Sequence, residues 1–110
     1  MNNETMVARR EVEILNNLGL HLRPAEKFVK LALKFQAEIR VHYNGHQFNG
    51  KSILDLTTLG AERGTRLGLE ARGPDAESAV EALANLVLAR FFEKDNGEAL
   101  PEASGTEPVA

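Results

Sequence analysis

The sequence predicts an α+β fold, an open-faced β-sandwich in which a four-stranded antiparallel sheet carries three helices on one face. Three observations lead there. Apolar residues follow two periods in turn: strict alternation over short stretches, three- and four-residue steps over longer ones. Together these give the order β-α-β-β-α-β-α. Asn44-Gly45 separates two alternating stretches by only two residues, the mark of a tight antiparallel hairpin. Finally, 110 residues with 43% hydrophobic and 26% charged content suit one domain with a modest core. The order alone also fits ferredoxin-like regulatory domains, which share a β-α-β-β-α-β core.

The first strand is expected over Arg9 to Leu15, where Val12 and Ile14 alternate with Glu11 and Glu13. Asn16, Asn17 and Gly19 supply turn chemistry. From Arg23 to about Gln36, Ala25, Phe28, Val29, Ala32 and Phe35 form one helical face, with Pro24 in the first turn where its missing N–H is no loss. Ile39, Val41 and Tyr43 make the second strand, and His46 to Phe48 the short third. His42 and His46 are expected to face solvent from this hairpin. A short helix over Ile53 to Leu59 follows, with Gly60 just past its end. Leu67, Leu69 and Ala71 alternate through the fourth strand. The last helix carries Ala76, Ala79, Val80, Leu83, Leu86, Val87 and Phe91 inward, with Asp75 or a neighbour as cap. This gives a flexible N-terminus over 1–8, a domain over 9–93 and a disordered acidic tail over 94–110.

Composition excludes several functions. There is no cysteine, hence no disulfide or thiolate metal site. With three histidines, a metal cluster is not expected, nor is any cofactor. A net charge of −3 and six aromatic residues argue against a nucleic-acid surface. No apolar run approaches a membrane span and the N-terminus lacks an apolar signal core, so a cytoplasmic protein without membrane insertion is expected.

The chemistry concentrates at Gly19-Leu20-His21-Leu22-Arg23-Pro24. A helix starting here leaves its first amides without partners and places partial positive charge at its mouth. Arg23 adds a guanidinium suited to phosphate oxygens. His21 stands beside this anion site, and one imidazole nitrogen can attack phosphorus while the other holds a tautomer-setting hydrogen bond. On the residues alone, a lone histidine before a helix is more usually a capping or surface residue than a phosphate acceptor.

Gly19-Leu20-His21-Leu22-Arg23-Pro24-Ala25 resembles the active-site signature of the HPr family, the histidine-containing phosphocarriers of the bacterial sugar phosphotransferase system. Lys51-Ser52-Ile53-Leu54-Asp55-Leu56-Thr57-Thr58-Leu59-Gly60 is similar to that family's regulatory-serine helix. The likeness runs through Ala71-Arg72-Gly73-Pro74-Asp75 and Ala79-Val80-Glu81-Ala82-Leu83, covering roughly residues 8 to 93. It implies that His21 accepts phosphate on Nδ1 from phosphorylated enzyme I and passes it to IIA domains, with Arg23 steadying the phosphoryl group. The protein would be a phosphotransfer intermediate, not a stand-alone enzyme, and a monomer. Leu22 departs from the pattern, which usually has alanine or threonine there, and bears on how partners dock.

Ser52 reads structurally as an N-cap. The resemblance implies a second role, phosphorylation by an HPr serine kinase/phosphorylase. Ile53, Leu54, Leu56 and Leu59 cannot all face inward from so short a helix. The resemblance favours Leu22, Ile53 and Leu54 as an apolar docking patch, with Lys27, Lys30 and Lys51 as its basic rim. Two alternatives stand beside sugar transport: a nitrogen-branch or regulatory phosphocarrier of the same family, and a non-catalytic ferredoxin-like binding module.

Overall fold

The structure is a computed structural model and describes residues 6–98 and 100. Its elements are β1 (Val7–Glu13), α1 (Leu22–Ala32), β2 (Glu38–Tyr43), β3 (His46–Asn49), α2 (Ile53–Leu59), β4 (Arg66–Arg72) and α3 (Ala76–Leu88), followed by a short 3-10 turn over Arg90–Phe92. The sheet order is β1-β4-β2-β3 and every pairing is antiparallel. The α+β expectation with four antiparallel strands and three helices therefore holds.

Alternation along the strands explains the layering. Ala8 and Val12 from β1, Ile39 and Val41 from β2, and Leu67, Leu69 and Ala71 from β4 are buried together with α1 and α3 side chains. The opposite positions carry Arg9, Glu11, Arg40, His42, Glu70 and Arg72, paired across strands on the uncovered face. The β2–β3 hairpin turns through Asn44 and Gly45, both at positive φ as a two-residue turn of this hand requires.

Several boundaries differ from expectation. β1 begins at Val7, inside the stretch expected to be flexible, and ends at Glu13: the Ile14 amide still donates to the Thr65 carbonyl in the same register, but Thr65 N–H goes to the Glu62 carbonyl and the Ile14 carbonyl accepts from Gly64 N–H instead. Residues 1–5 lie outside the described residues. α1 ends at Ala32 and not Gln36, because the amides of Gln36 and Ala37 are taken by the Asp75 carboxylate at 2.9 and 2.8 Å. That same contact corrects the expected role of Asp75. It stands at the α3 N-cap position without a side-chain cap bond and instead clamps the loop between α1 and β2. The Gln36 amide, with that of Ala37, holds the Asp75 pKa below its ordinary value. His42 is half-buried, with Nε2 2.7 Å from Glu70 Oε1, while His46 is exposed as expected.

Beyond α3 the chain does something no periodicity announces. Arg90, Phe91 and Phe92 all have φ near +55°, a left-handed conformation that disfavours non-glycine residues by about 1–2 kcal/mol each. Phe91 is fully buried, and its carbonyl accepts from Lys27 Nζ at 2.7 Å, which holds the turn in place. The first residues of the segment expected to be a disordered tail form a turn, Lys94 N–H donating to the Glu98 carbonyl and Gly97 N–H to Lys94. Residue 99 and residues 101–110 lie outside the described residues. Among the described residues, no helix is long and apolar enough to cross a membrane.

Candidate functional site

His21 is the residue immediately before α1. The loop leading to it is tightly bound: Gly19 N–H donates to the Asn16 carbonyl, Leu20 N–H to Ala61, and His21 N–H to Gly19. Gly19 has φ +74°, and a Cβ there would lie 2.5 Å from the Ala61 carbonyl oxygen, so only glycine lets the two segments approach. Leu20 is buried and anchors the loop; Leu22 on the other side of the histidine is exposed. Of the two leucines bracketing the ring, one is core and one is surface.

The His21 carbonyl accepts the first intrahelical bond, from Ala25 N–H at 3.0 Å, but its side chain does not cap the helix. Among the described residues the amides of Leu22 and Arg23 have no partner, and the first turn of α1 holds no acidic side chain. The positive end of α1 is therefore open beside the imidazole. Arg23 is exposed, its Nη1 3.5 Å from the Gly97 carbonyl, a loose contact at the edge of hydrogen-bond range.

The ring of His21 is about one-third exposed (34%). Its Nε2 lies 2.8 Å from Oε2 of Glu93, whose side chain is only 1% exposed. The other oxygen of Glu93 accepts from Asn16 Nδ2 at 2.9 Å, and the same nitrogen donates to the Gly19 carbonyl at 2.7 Å. An ionised carboxylate only accepts hydrogen bonds, so a neutral ring facing ionised Glu93 carries its proton on Nε2 and leaves the Nδ1 lone pair free. Nδ1 has no hydrogen-bond partner among the described residues. Asn16 Oδ1, on the same amide, is buried without a hydrogen-bond partner among the described residues. Glu93 and Asn16 are the residues that sequence reasoning did not single out.

Ser52 precedes α2, and its Oγ accepts from Asp55 N–H at 3.1 Å, the capping expected of serine. Gly60 closes the other end in the left-handed conformation. Leu56 is fully buried and Leu59 packs against the core, whereas Leu54 is 74% exposed and Ile53 is also exposed. α1 and α2 pack on one another, so these side chains belong to the same two-helix unit as Leu22. Lys51 Nζ donates to the Phe35 carbonyl and Lys27 Nζ to that of Phe91, each at 2.7 Å. Both are half-buried cations fixed against the main chain, not free arms; Lys30 is exposed.

A second charged cluster lies on the open face of the sheet, away from His21. Glu70 is buried there between His42, Arg72 and Arg9. Burial alone would raise its pKa, but the hydrogen bonds from His42 and Arg72 and the nearby guanidiniums outweigh it and hold the pKa below the ordinary value. Among the described residues, no group of three acidic or histidine side chains is placed to hold a metal ion.

A family model described as the PTS HPr component phosphorylation site matches residues 8–89. The phosphocarrier protein HPr of Neisseria meningitidis is 41% identical over 85 residues, 77% of this chain and 96% of the relative. That of Vibrio cholerae is 46% identical over 78 residues, 71% of this chain and 92% of the relative. Among solved structures, an HPr from Thermoanaerobacter tengcongensis superposes with a TM-score of 0.76 at 39% identity, covering 79% of this chain and 98% of that one.

Proposed function

The chain belongs to the HPr family of phosphotransferase-system phosphocarriers, and on that premise we propose that His21 accepts a phosphoryl group from phosphorylated enzyme I and passes it to IIA domains. The observation that carries this reading is the unshared Nδ1 of a partly exposed imidazole at the unfilled mouth of α1. The family match sets aside the ferredoxin-like module that element order also allowed.

Transfer here is positioning and charge stabilisation. Nδ1 attacks phosphorus in line with the departing nitrogen of the donor histidine. The phosphoryl oxygens meet the open amides of Leu22 and Arg23, and the exposed Arg23 guanidinium swings to them from its loose contact with Gly97. Because the seat consists of two amides and a mobile cation, it holds the group without trapping it. No nucleotide or metal is called for, since the donor arrives already phosphorylated.

Leu22, Ile53 and Leu54 form the apolar part of the docking surface, rimmed by Lys27, Lys30 and Lys51. Phosphorylation of Ser52 by an HPr serine kinase places a dianion beside that surface and opposes docking by acidic partners. We place the protein in the cytoplasm as a monomer. A nitrogen-branch or regulatory acceptor remains the second reading, favoured by Leu22, whose bulk is 57% exposed beside the ring.

The test is incubation with enzyme I and phosphoenolpyruvate. An acid-labile adduct on His21, absent in His21→Ala and transferable to a IIA domain, is expected. Stoichiometric failure to label would overturn the reading. Comparing sugar and nitrogen IIA acceptors decides the branch.

A further inference from the structure

We propose that the open face of the sheet carries a second anion site, a groove floored by Gly68 in which Arg9 and His42 bind the phosphate group of a small soluble phosphate monoester. The site stands apart from His21 and does not depend on phosphoryl transfer there.

Strand register lays the groove out. Glu11, Gly68 and His42 stand in one row across β1, β4 and β2, and Arg9, Glu70 and Arg40 in the next. Glycine at the centre of the first row leaves a gap between Glu11 and His42. The gap is an open groove of about 430 Å3 that Arg9, Arg10 and Glu70 also line. Its volume suits a small ligand.

The glycine is informative because the fold does not require it. Every other described glycine either has positive φ or lies where a Cβ would press on a neighbour. A Cβ on Gly68 would meet only His42, at 3.5 and 3.9 Å, which is ordinary contact. Glycine inside a strand weakens it, and its usual uses there are a bulge, a bend or the close approach of a ligand. β1 and β4 keep one continuous register through Gly68, so no bulge accounts for it.

The charges on this face favour an anion. The buried Glu70 carboxylate is satisfied without Arg9: Oε1 lies 2.7 Å from His42 Nε2, and Oε2 accepts from Arg72 Nε at 2.7 Å. Arg9 Nε stands 3.7 Å from Oε1, too far for a hydrogen bond, and its side chain is 69% exposed. Its guanidinium therefore keeps a donor fork for an outside anion. Glu11, on the far wall, is paired with Arg66 Nη1 at 3.1 Å. His42 supplies the second contact, since its Nε2 is held by Glu70 and its Nδ1 has no hydrogen-bond partner among the described residues. A neutral ring accepts the proton of a singly protonated phosphate on Nδ1, and a protonated ring donates to a doubly charged one. Either way, ring and ligand share one proton.

The occupant is small because acids ring the patch. Glu11 and Glu13 on β1 and Glu38 on β2 share this face. An extended polyanion, whether a membrane surface or a nucleic acid, meets those carboxylates, whereas a single phosphate group reaches Arg9 between them. The carbon skeleton of the ester then lies on the bare backbone of Gly68 and the aliphatic stem of Arg9.

The test is titration of the full chain with glycerol phosphate, with glycerol as control, followed by amide nitrogen-15 spectra. Because the mouth of α1 is another place for phosphate, the signals are read residue by residue. Glycerol phosphate should give saturable shifts at Arg9, His42 and Gly68, and glycerol none. Arg9→Gln, a change at an exposed side chain, should weaken that binding about 10-fold or more. Gly68→Val fills the groove with a strand-favouring side chain, so it should abolish binding while melting no lower than the wild type. Shifts confined to Leu22 and Arg23, or an equal response to glycerol, would overturn the site, as would unaltered affinity in either variant. Should Gly68→Val fail to fold, Arg9→Gln decides alone: full affinity there overturns the proposal and the expected loss sustains it.

Discussion

Leu54→Ala and Leu56→Ala, two residues apart on α2, should separate docking from folding. Leu56 is fully buried, so truncation leaves a cavity and costs about 2–5 kcal/mol, a fall in Tm of about 10 °C or more for a domain of this size. Leu54 is 74% exposed and contributes little to the core. Full burial of a leucine is worth about 1.5–3 kcal/mol, so covering the exposed three-quarters in a complex is worth about 1–2 kcal/mol. That converts to roughly a 5- to 30-fold weaker association once the side chain is removed. Alanine is also a good helix former, so α2 itself loses nothing. The assays are thermal melting by circular dichroism and steady-state transfer from enzyme I, with KM for the carrier read apart from kcat. Leu54→Ala should melt within about 2 °C of the wild type. It should raise KM and leave kcat nearly unchanged, because His21, Glu93 and the α1 mouth are untouched. A melting loss like that of Leu56→Ala, or an unaltered KM with enzyme I and every IIA partner, would refute the division of α2 into a core face and a docking face.

Gly19→Ala should destabilise by about 1–3 kcal/mol and slow His21 labelling, since the new Cβ meets the Ala61 carbonyl and φ is positive; melting and labelling rate are read together. Ser52→Ala should cost about 1 kcal/mol through the lost cap of α2, seen by denaturant titration, while Ser52→Asp should slow phosphoryl acceptance beyond any stability change. Glu70 titrates below its ordinary value in the folded protein, so the fold binds that proton more weakly than the unfolded chain does. Its carboxylate therefore stabilises the protein above about pH 4.5, and that contribution disappears as pH falls through the lowered value. Glu70→Gln should flatten the acid limb of a Tm-against-pH curve below pH 4.5; an unchanged acid limb would contradict the assignment.

Most of the fold was legible because its signals are local. Alternation in Ile39-Arg40-Val41, the Asn44-Gly45 turn and the three- and four-residue steps from Ala25 to Ala32 each depend on neighbours within a few positions. What periodicity could not show is competition between distant groups. The end of α1 is decided by Asp75, some forty residues away in sequence, which takes two amides that a longer helix would have used. The candidate site divided in the same way. His21, Arg23 and Ser52 lie at helix starts, where residue type and spacing carry meaning. Glu93 lies after three left-handed residues that carry no glycine or asparagine to announce the turn, and its pairing to Asn16 spans 77 positions. Lys27 and Lys51 were readable as basic but not as tethered, since the carbonyls that hold them are set by the packing of other elements.

The two helix mouths differ in a way that bears on which one should carry cargo. At α2 the Ser52 hydroxyl already fills the seat by accepting from Asp55 N–H, and the Asp55 carboxylate is bonded to Asn49 N–H, so the helix end is satisfied and an acid stands in its first turn. A phosphate added at Ser52 would have to displace that cap and sit near Asp55. At α1 neither obstacle exists: the side chain of the residue before the helix caps nothing and no acid occupies the first turn. An unfilled positive end leaves α1 less stable than a serine or aspartate cap would, by about 0.5–2 kcal/mol. A helix meant only to support the sheet would be expected to recover that stability with a capping side chain. Retaining a histidine there, with its second nitrogen tied to a buried carboxylate, is consistent with a seat kept open for a group that arrives and departs.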